Sequence, residues 1–189
     1  MDGPAGAHSG ALDRWFGGPS AWFADRKRAG GGGLFDLGCH QMDILPWLMG
    51  GDPRRVTAII NNFSNAYPID DNSATLIEFD SKAIGVVDVS WVHRSGFNMV
   101  ELYGTEGSIA WGHGGFHFQT RKLDDAGRER YLQQRPAGLP SPFEQWVNAI
   151  LDGAPTTITI QDGRNLTELL QAAYRSAESG QAVVLPLES

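Results

Sequence analysis

One cysteine in 189 residues excludes an internal disulfide framework, and Cys39 has no evident partner for a Cys/His nucleophile. No apolar run approaches the roughly 20 residues that a membrane-spanning helix requires. The start of the chain is rich in Gly and Ala without a hydrophobic core segment, so it does not read as a signal peptide. A net charge of −7 and a single short basic cluster, Arg26-Lys27-Arg28, argue against nucleic acid as a partner. These absences make a cytoplasmic protein with neither a membrane nor a nucleic-acid partner the expectation. Three catalytic signatures are also missing: a G-x-G-x-x-G turn after a strand, a Walker loop and a G-x-S-x-G elbow.

What the chain has in abundance is glycine, 24 residues of it, four of them consecutive. The run Gly30-Gly31-Gly32-Gly33 leads into Leu34-Phe35-Asp36-Leu37-Gly38-Cys39-His40-Gln41-Met42-Asp43. The apolar spacing predicts a helix over 34–49, with Leu34, Leu37, Met42 and Leu45 on one face and Gly50-Gly51 as the stop. Pro46 should kink it or loosen its last turn. On that helix Asp36, His40 and Asp43 share a side, about 6 Å between neighbouring Cβ atoms for the four-residue step. An acid and an imidazole beside a glycine track suggest a proton-transfer pair above a flexible loop that a ligand can approach closely. The plain alternative is a helix-terminal Asp that favours the macrodipole and a His satisfied by the core. A third is a metal on Asp36, His40 and Asp43, opposed by the lack of a second imidazole at ligand spacing; no metal is expected.

Residues 1–33 read as an irregular leader with aromatic anchors and one short helix near 20–25. In it, His8, Arg14 and Trp22 could line a sugar- or polyol-sized pocket, or be ordinary loop residues. From residue 54 the period becomes two, predicting strands over 56–60, 73–79, 83–91, 98–103 and 107–111, with a weaker one over 116–121 and a hairpin turn at Asp80-Ser81-Lys82. Two helices follow, one from Ser141 or Pro142 to Leu151 and one from Asp162 or Gly163 to Gly180, then a short strand over 182–187. The first should turn Phe143, Trp146, Val147 and Ile150 inward, and Trp146 and Tyr174 read as core. Segregated strands and helices define an α+β domain: an open, largely antiparallel sheet with helices on one face.

Several stretches resemble the Gfo/Idh/MocA oxidoreductases, the family of glucose–fructose oxidoreductase and inositol dehydrogenase. They are Trp22-Phe23-Ala24-Asp25, the glycine run, Asp36-x-Gly38-x-His40-x-x-Asp43, Trp47-Leu48-Met49-Gly50 and Glu101-Leu102-Tyr103-Gly104-Thr105-Glu106-Gly107. The resemblance implies that residues 1–189 are a single C-terminal domain for substrate binding and oligomerisation, without the Rossmann domain and its E-K-P lysine. It implies an NAD(P)-dependent dehydrogenase acting on a sugar, an inositol-like polyol or a related hydroxyl compound. His40 would be the general acid/base, Asp36 would orient it or bind substrate hydroxyls, and Asp43 would support them. NAD or NADP would belong to the full-length protein, with no cofactor residues in this chain, which is expected to be inactive alone. The partners implied are the small-molecule substrate and a second copy across the open sheet face. A non-catalytic binding or dimerisation module, or a metal-dependent lyase or isomerase, stands as the alternative.

Overall fold

The computed structural model describes residues 22–93, 98–112, 114–134 and 137–188. His8 and Arg14 lie outside them. The described chain divides into two compact units, one up to residue 94 and from 158 onwards, the other 95–157.

The first unit begins with a 3-10 turn at residues 22–24 and a short helix α1 (Arg26–Ala29) capped by the Asp25 carboxylate, which accepts from Lys27 N at 2.9 Å. The helix expected over 20–25 therefore sits a few residues later. A π-helical turn (Leu34–Gly38) then runs directly into α2 (Cys39–Met49), which ends on Gly50 in the left-handed region. Pro46 does not stop α2: the helix continues through it to Met49.

Strands β1 (Pro53–Asn61), β2 (Asn72–Phe79) and β3 (Ile84–Ser90) form an antiparallel sheet, joined at one edge by β7 (Val183–Val184), in the order β3-β2-β1-β7. The period of two is borne out residue by residue: Val56, Ala58, Ser73, Thr75, Ile77, Val87 and Val89 turn to one face and are buried. Helix α5 (Ile160–Ser179) covers that face with Leu169, Leu170, Ala172 and Ala173, and Leu34 and Met42 complete the core. Burial of Leu34, Met42, Ile77 or Phe79 contributes about 1.5–3 kcal/mol apiece. β7 pairs only with Arg55 and Val56, and beyond it the Ser176 hydroxyl accepts from Ala58 N at 3.0 Å, tying α5 to the sheet edge. α5 starts at Ile160, two residues before the expected Asp162, because Thr159 and Asp162 form a reciprocal capping box.

The second unit is a three-stranded antiparallel sheet, β4 (Asn98–Gly104), β5 (Gly107–Gly112) and β6 (Gly115–Thr120), followed by α3 (Asp125–Gln133) and α4 (Pro142–Asp152). The strands expected over 98–121 are thus present, but in a sheet of their own. Tyr131 on α3 packs over Phe118, ring centroids 5.2 Å apart. The inward face assigned to α4 is overturned: Phe143, Trp146 and Ile150 are exposed, Trp146 at 58%. Their helical spacing marks one apolar side but does not say whether anything covers it. Taken together, the described chain is α+β with antiparallel sheets, as the pattern predicts.

Candidate active site

The candidate side chains Asp36, His40 and Asp43 sit where the glycine run becomes a helix, on the first unit. Gly31, Gly32, Gly33 and Leu34 are all buried, which corrects the reading of a flexible track open to a ligand. A Cβ added at Gly32 would collide with the Asp70 carbonyl, and one at Gly31 with the Tyr174 hydroxyl. Close approach is indeed what glycine provides here, but the approaching group is the protein itself.

Asp70 holds this segment. Its Oδ1 accepts from Gly32 N at 2.8 Å, its Oδ2 from Leu34 N at 2.9 Å, and its carbonyl from Gly33 N at 2.8 Å. The first N–H groups of a helix have no partner within it, and no side chain of the helix's own lead-in caps this one. A carboxylate from 36 residues downstream takes that place. The Tyr174 hydroxyl on α5 donates to the same Oδ1 at 3.0 Å. Burial first, then the Asp70 charge, pushes the Tyr174 phenol well above its ordinary value.

Asp36, in the π-helical turn, is half-buried, and its Oδ2 accepts from Trp91 Nε1 at 3.1 Å. Tyr67 packs edge-on against the Trp91 ring, centroids 5.7 Å apart at 75°. The Trp91 backbone N donates to the Asp71 carbonyl at 2.8 Å. Asp71 is fully buried, its carboxylate accepting from Phe63 N at 2.7 Å and Ser64 N at 2.8 Å. His40 and Asp43 on α2 are exposed. The site thus has a half-buried carboxylate held by an indole and, four residues on, an imidazole open to solvent.

Cys39 lies between them in sequence but not in role. It is half-buried against the core, not fully buried, and its Sγ–H donates to the Asp36 carbonyl at 3.1 Å. Burial, then the Asp36 charge, raises the thiol's pKa and so disfavours a thiolate. Trp22 is exposed and stacks at a tilt on Phe23, centroids 4.3 Å apart. Among the described residues no group of three or more His, Cys, Asp and Glu is arranged to hold a metal ion.

Every strand pairing among the described residues is antiparallel, so they form no parallel dinucleotide-binding sheet, and the space beside Gly31 and Gly32 is filled by Tyr174 and Asp70. No helix among the described residues is long and apolar enough to cross a membrane. The roles of Asp70, Asp71, Trp91 and Tyr174 are not apparent from motif spacing. The adjacent acids immediately before a well-patterned strand were the available signal.

Residues 6–110 match the model of the GFO/IDH/MocA C-terminal domain. The chain belongs to the Gfo/Idh/MocA family of oxidoreductases, as a C-terminal domain. It is 40% identical over 84 residues to scyllo-inositol 2-dehydrogenase (NAD(+)) of Bacillus subtilis, covering 41% of this chain and 25% of that protein. It is 24% identical over 164 residues to D-apiose dehydrogenase of Rhizobium rhizogenes, covering 78% of this chain and 47% of that protein. The crystal structure of GenD2 from gentamicin A biosynthesis, in complex with NAD, superposes with a TM-score of 0.63 at 29% identity over 90% of this chain and 53% of GenD2. The fold alone is shared with the WlbA dehydrogenase of Bordetella pertussis, solved with NADH and UDP-GlcNAcA: TM-score 0.68 at 20% identity, over 84% of this chain and 47% of that one. The chain spans no more than about half the length of these relatives.

Proposed function

We propose that residues 1–189 are the substrate-binding and catalytic C-terminal domain of an NAD(P)-dependent dehydrogenase acting on a sugar, an inositol-like polyol or a related hydroxyl compound. The observation that carries this reading is an Asp36 carboxylate held by Trp91, with an exposed His40 four residues on, in the block that matches the family. A π-helical turn at this point fits a functional site, where such turns concentrate. His40 takes the proton from the substrate hydroxyl and returns it in the reverse reaction. Asp36, with one oxygen committed to Trp91, orients His40 or accepts from a neighbouring substrate hydroxyl through the other. Asp43, exposed on the same helix, supports them, and Trp22 borders the substrate. The hydride acceptor, a nicotinamide, belongs to a dinucleotide-binding half outside these residues, so the chain alone binds no NAD(P)H and turns nothing over.

The test joins this chain to a dinucleotide-binding domain of the family and follows NAD(P)H formation with inositols and aldoses. His40→Ala should lower turnover by about 10²–10⁴-fold, the range of a lost general base. Because His40 is exposed, stability should change by less than about 0.5 kcal/mol. Full turnover in His40→Ala, or saturable NAD(P)H fluorescence with the isolated chain, would overturn the assignment.

The reading as an assembly module has its own support. The face of the first sheet opposite α5 carries Ile59, Leu76, Ile84, Val86 and Val184, all exposed, Ile59 at 67% and Ile84 at 70%. We assign that face to a homodimer or higher oligomer of the dehydrogenase rather than to a separate function.

A further inference from the structure

We infer that Asp70 and Asp71 together are a positioning element for Asp36, fixing the site's carboxylate from both sides; the inference rests on the reading of Asp36 and His40 as the catalytic pair.

The two residues are consecutive and face two different structures. Asp70 accepts from three successive backbone N–H groups, those of Gly32, Gly33 and Leu34, two positions before Asp36. That sets where the helix starts and hence how far along it Asp36 and His40 stand. Asp71 carries the other side. Its carbonyl accepts from Trp91 N, and the indole of Trp91 reaches back to Asp36 Oδ2. A closed path therefore runs from Asp36 through the π-helical turn to Asp70, across one peptide bond to Asp71, and through Trp91 to Asp36 again.

Each link is anchored elsewhere in the fold. Tyr174 on α5 donates to Asp70 Oδ1, and Asp71 is pinned through its N to Asn61 O at 3.0 Å and through its carboxylate to Phe63 N and Ser64 N. Charge-assisted bonds to backbone N–H groups are about twice as strong as neutral ones and fix direction as well as distance. A carboxylate serving only stability at this helix start could come from the residue before the helix, as it does at α1 and α3. Here glycines occupy those positions and the cap comes from the loop residue next to Asp71, whose carbonyl accepts from Trp91 N. The cap and the indole thus move together, and Asp36 keeps its distance to both.

The experiment uses this chain, with Asp70→Asn as the first variant. Asn keeps one acceptor but places an amide N–H₂ where the second carboxylate oxygen served, so one of the Gly32 and Leu34 bonds is lost. The readout is the Trp91 indole ¹H–¹⁵N resonance, assigned among the six tryptophans by Trp91→Phe. In the native chain the indole N–H donates to Asp36 Oδ2, so its resonance reports that contact. In Asp70→Asn it should move to a different position, while the far-ultraviolet spectrum stays native. An unchanged indole resonance in a folded Asp70→Asn chain overturns the inference. If Asp70→Asn does not fold, Tyr174→Phe decides: it removes one donor to Asp70, and the indole must move in the same sense by less, an unmoved resonance again overturning the inference.

In the enzyme completed with a dinucleotide-binding domain, Asp70→Asn should reduce turnover by up to about 100-fold, the cost of an ångström of misplacement, with KM little changed. A normal turnover number there, with the indole displaced, would also overturn it. If instead His40→Ala leaves turnover intact while the indole responds as expected, the catalytic reading fails and the coupling of Asp70 to Asp36 stands.

Discussion

Trp91 Nε1 and Asp36 Oδ2 stand 3.1 Å apart across 55 residues of sequence, and this one bond joins the end of a strand to the turn that opens the site helix. Trp91→Phe keeps most of the ring's packing against Tyr67 and deletes the donor. A hydrogen bond to a charged acceptor contributes about 1.5–3 kcal/mol when sheltered. Asp36 is only half-buried and water can replace the indole, so the loss in thermal or denaturant unfolding should be nearer about 1 kcal/mol. In the completed enzyme the same change should cost more in turnover than in stability, because it frees Asp36 to rotate. A turnover number equal to the native one would detach Trp91 from the chemistry.

The extent to which this was legible in the sequence follows from the range of each interaction. β2 and β3 could be read closely, since alternation such as Ser73-Ala74-Thr75-Leu76-Ile77 and the turn at Asp80-Ser81-Lys82 are local signals. The Asp36, His40 and Asp43 block was visible for the same reason. Helix α3 was missed: Asp124 caps it, accepting from Gly127 N at 2.7 Å, but its apolar residues are too few to show a period. Gly31 and Gly32 were read as room for a ligand because their true neighbours, Tyr174 and Asp70, are far away in sequence. Phe143 and Trp146 show the converse limit, a clear apolar stripe whose burial no local signal determines.

Two glycine-to-alanine substitutions should separate close approach from mere helix propensity. At Gly32 an added methyl collides with the Asp70 backbone, which is held on both sides and cannot give way. Gly32→Ala should therefore destabilise the chain by about 3 kcal/mol or more, as overpacking and the loss of a cap combine. Gly163, inside α5, has open space around its Cβ position and an ordinary helical backbone. Gly163→Ala should raise stability by about 0.5–1 kcal/mol. Chemical denaturation of both variants measures the contrast, and a tolerant Gly32 would return the glycine run to a ligand-binding role.

The exposed sheet face predicts association. Leu76 sits in β2, an inner strand, paired with Thr57 on one side and Val86 on the other, so a charge there enters the apolar face. Its side chain makes no part of the core behind the sheet. Leu76→Glu should leave the fold intact and shift the sedimentation coefficient from that of an oligomer to that of a monomer. A native chain that sediments as a monomer at micromolar concentration would reject the assigned interface.

Alkaline pH should find the site's weakest point at Tyr174. In the unfolded chain its phenol ionises near 10. In the folded chain burial and Asp70 hold it protonated well beyond that. A raised folded-state value means the contribution is complete below the unfolded value and is lost as pH climbs past it, because the unfolded state gives up its proton first. Stability should therefore be level with respect to Tyr174 up to about pH 10 and fall above it. Tyr174→Phe cannot ionise, so its denaturation midpoint should start lower at neutral pH, for want of the bond to Asp70, and decline less steeply above pH 10 than that of the native chain. Parallel curves for the two proteins would mean that the phenol ionises freely in the folded state, and that the clamp on Asp70 is looser than a 3.0 Å hydrogen bond implies.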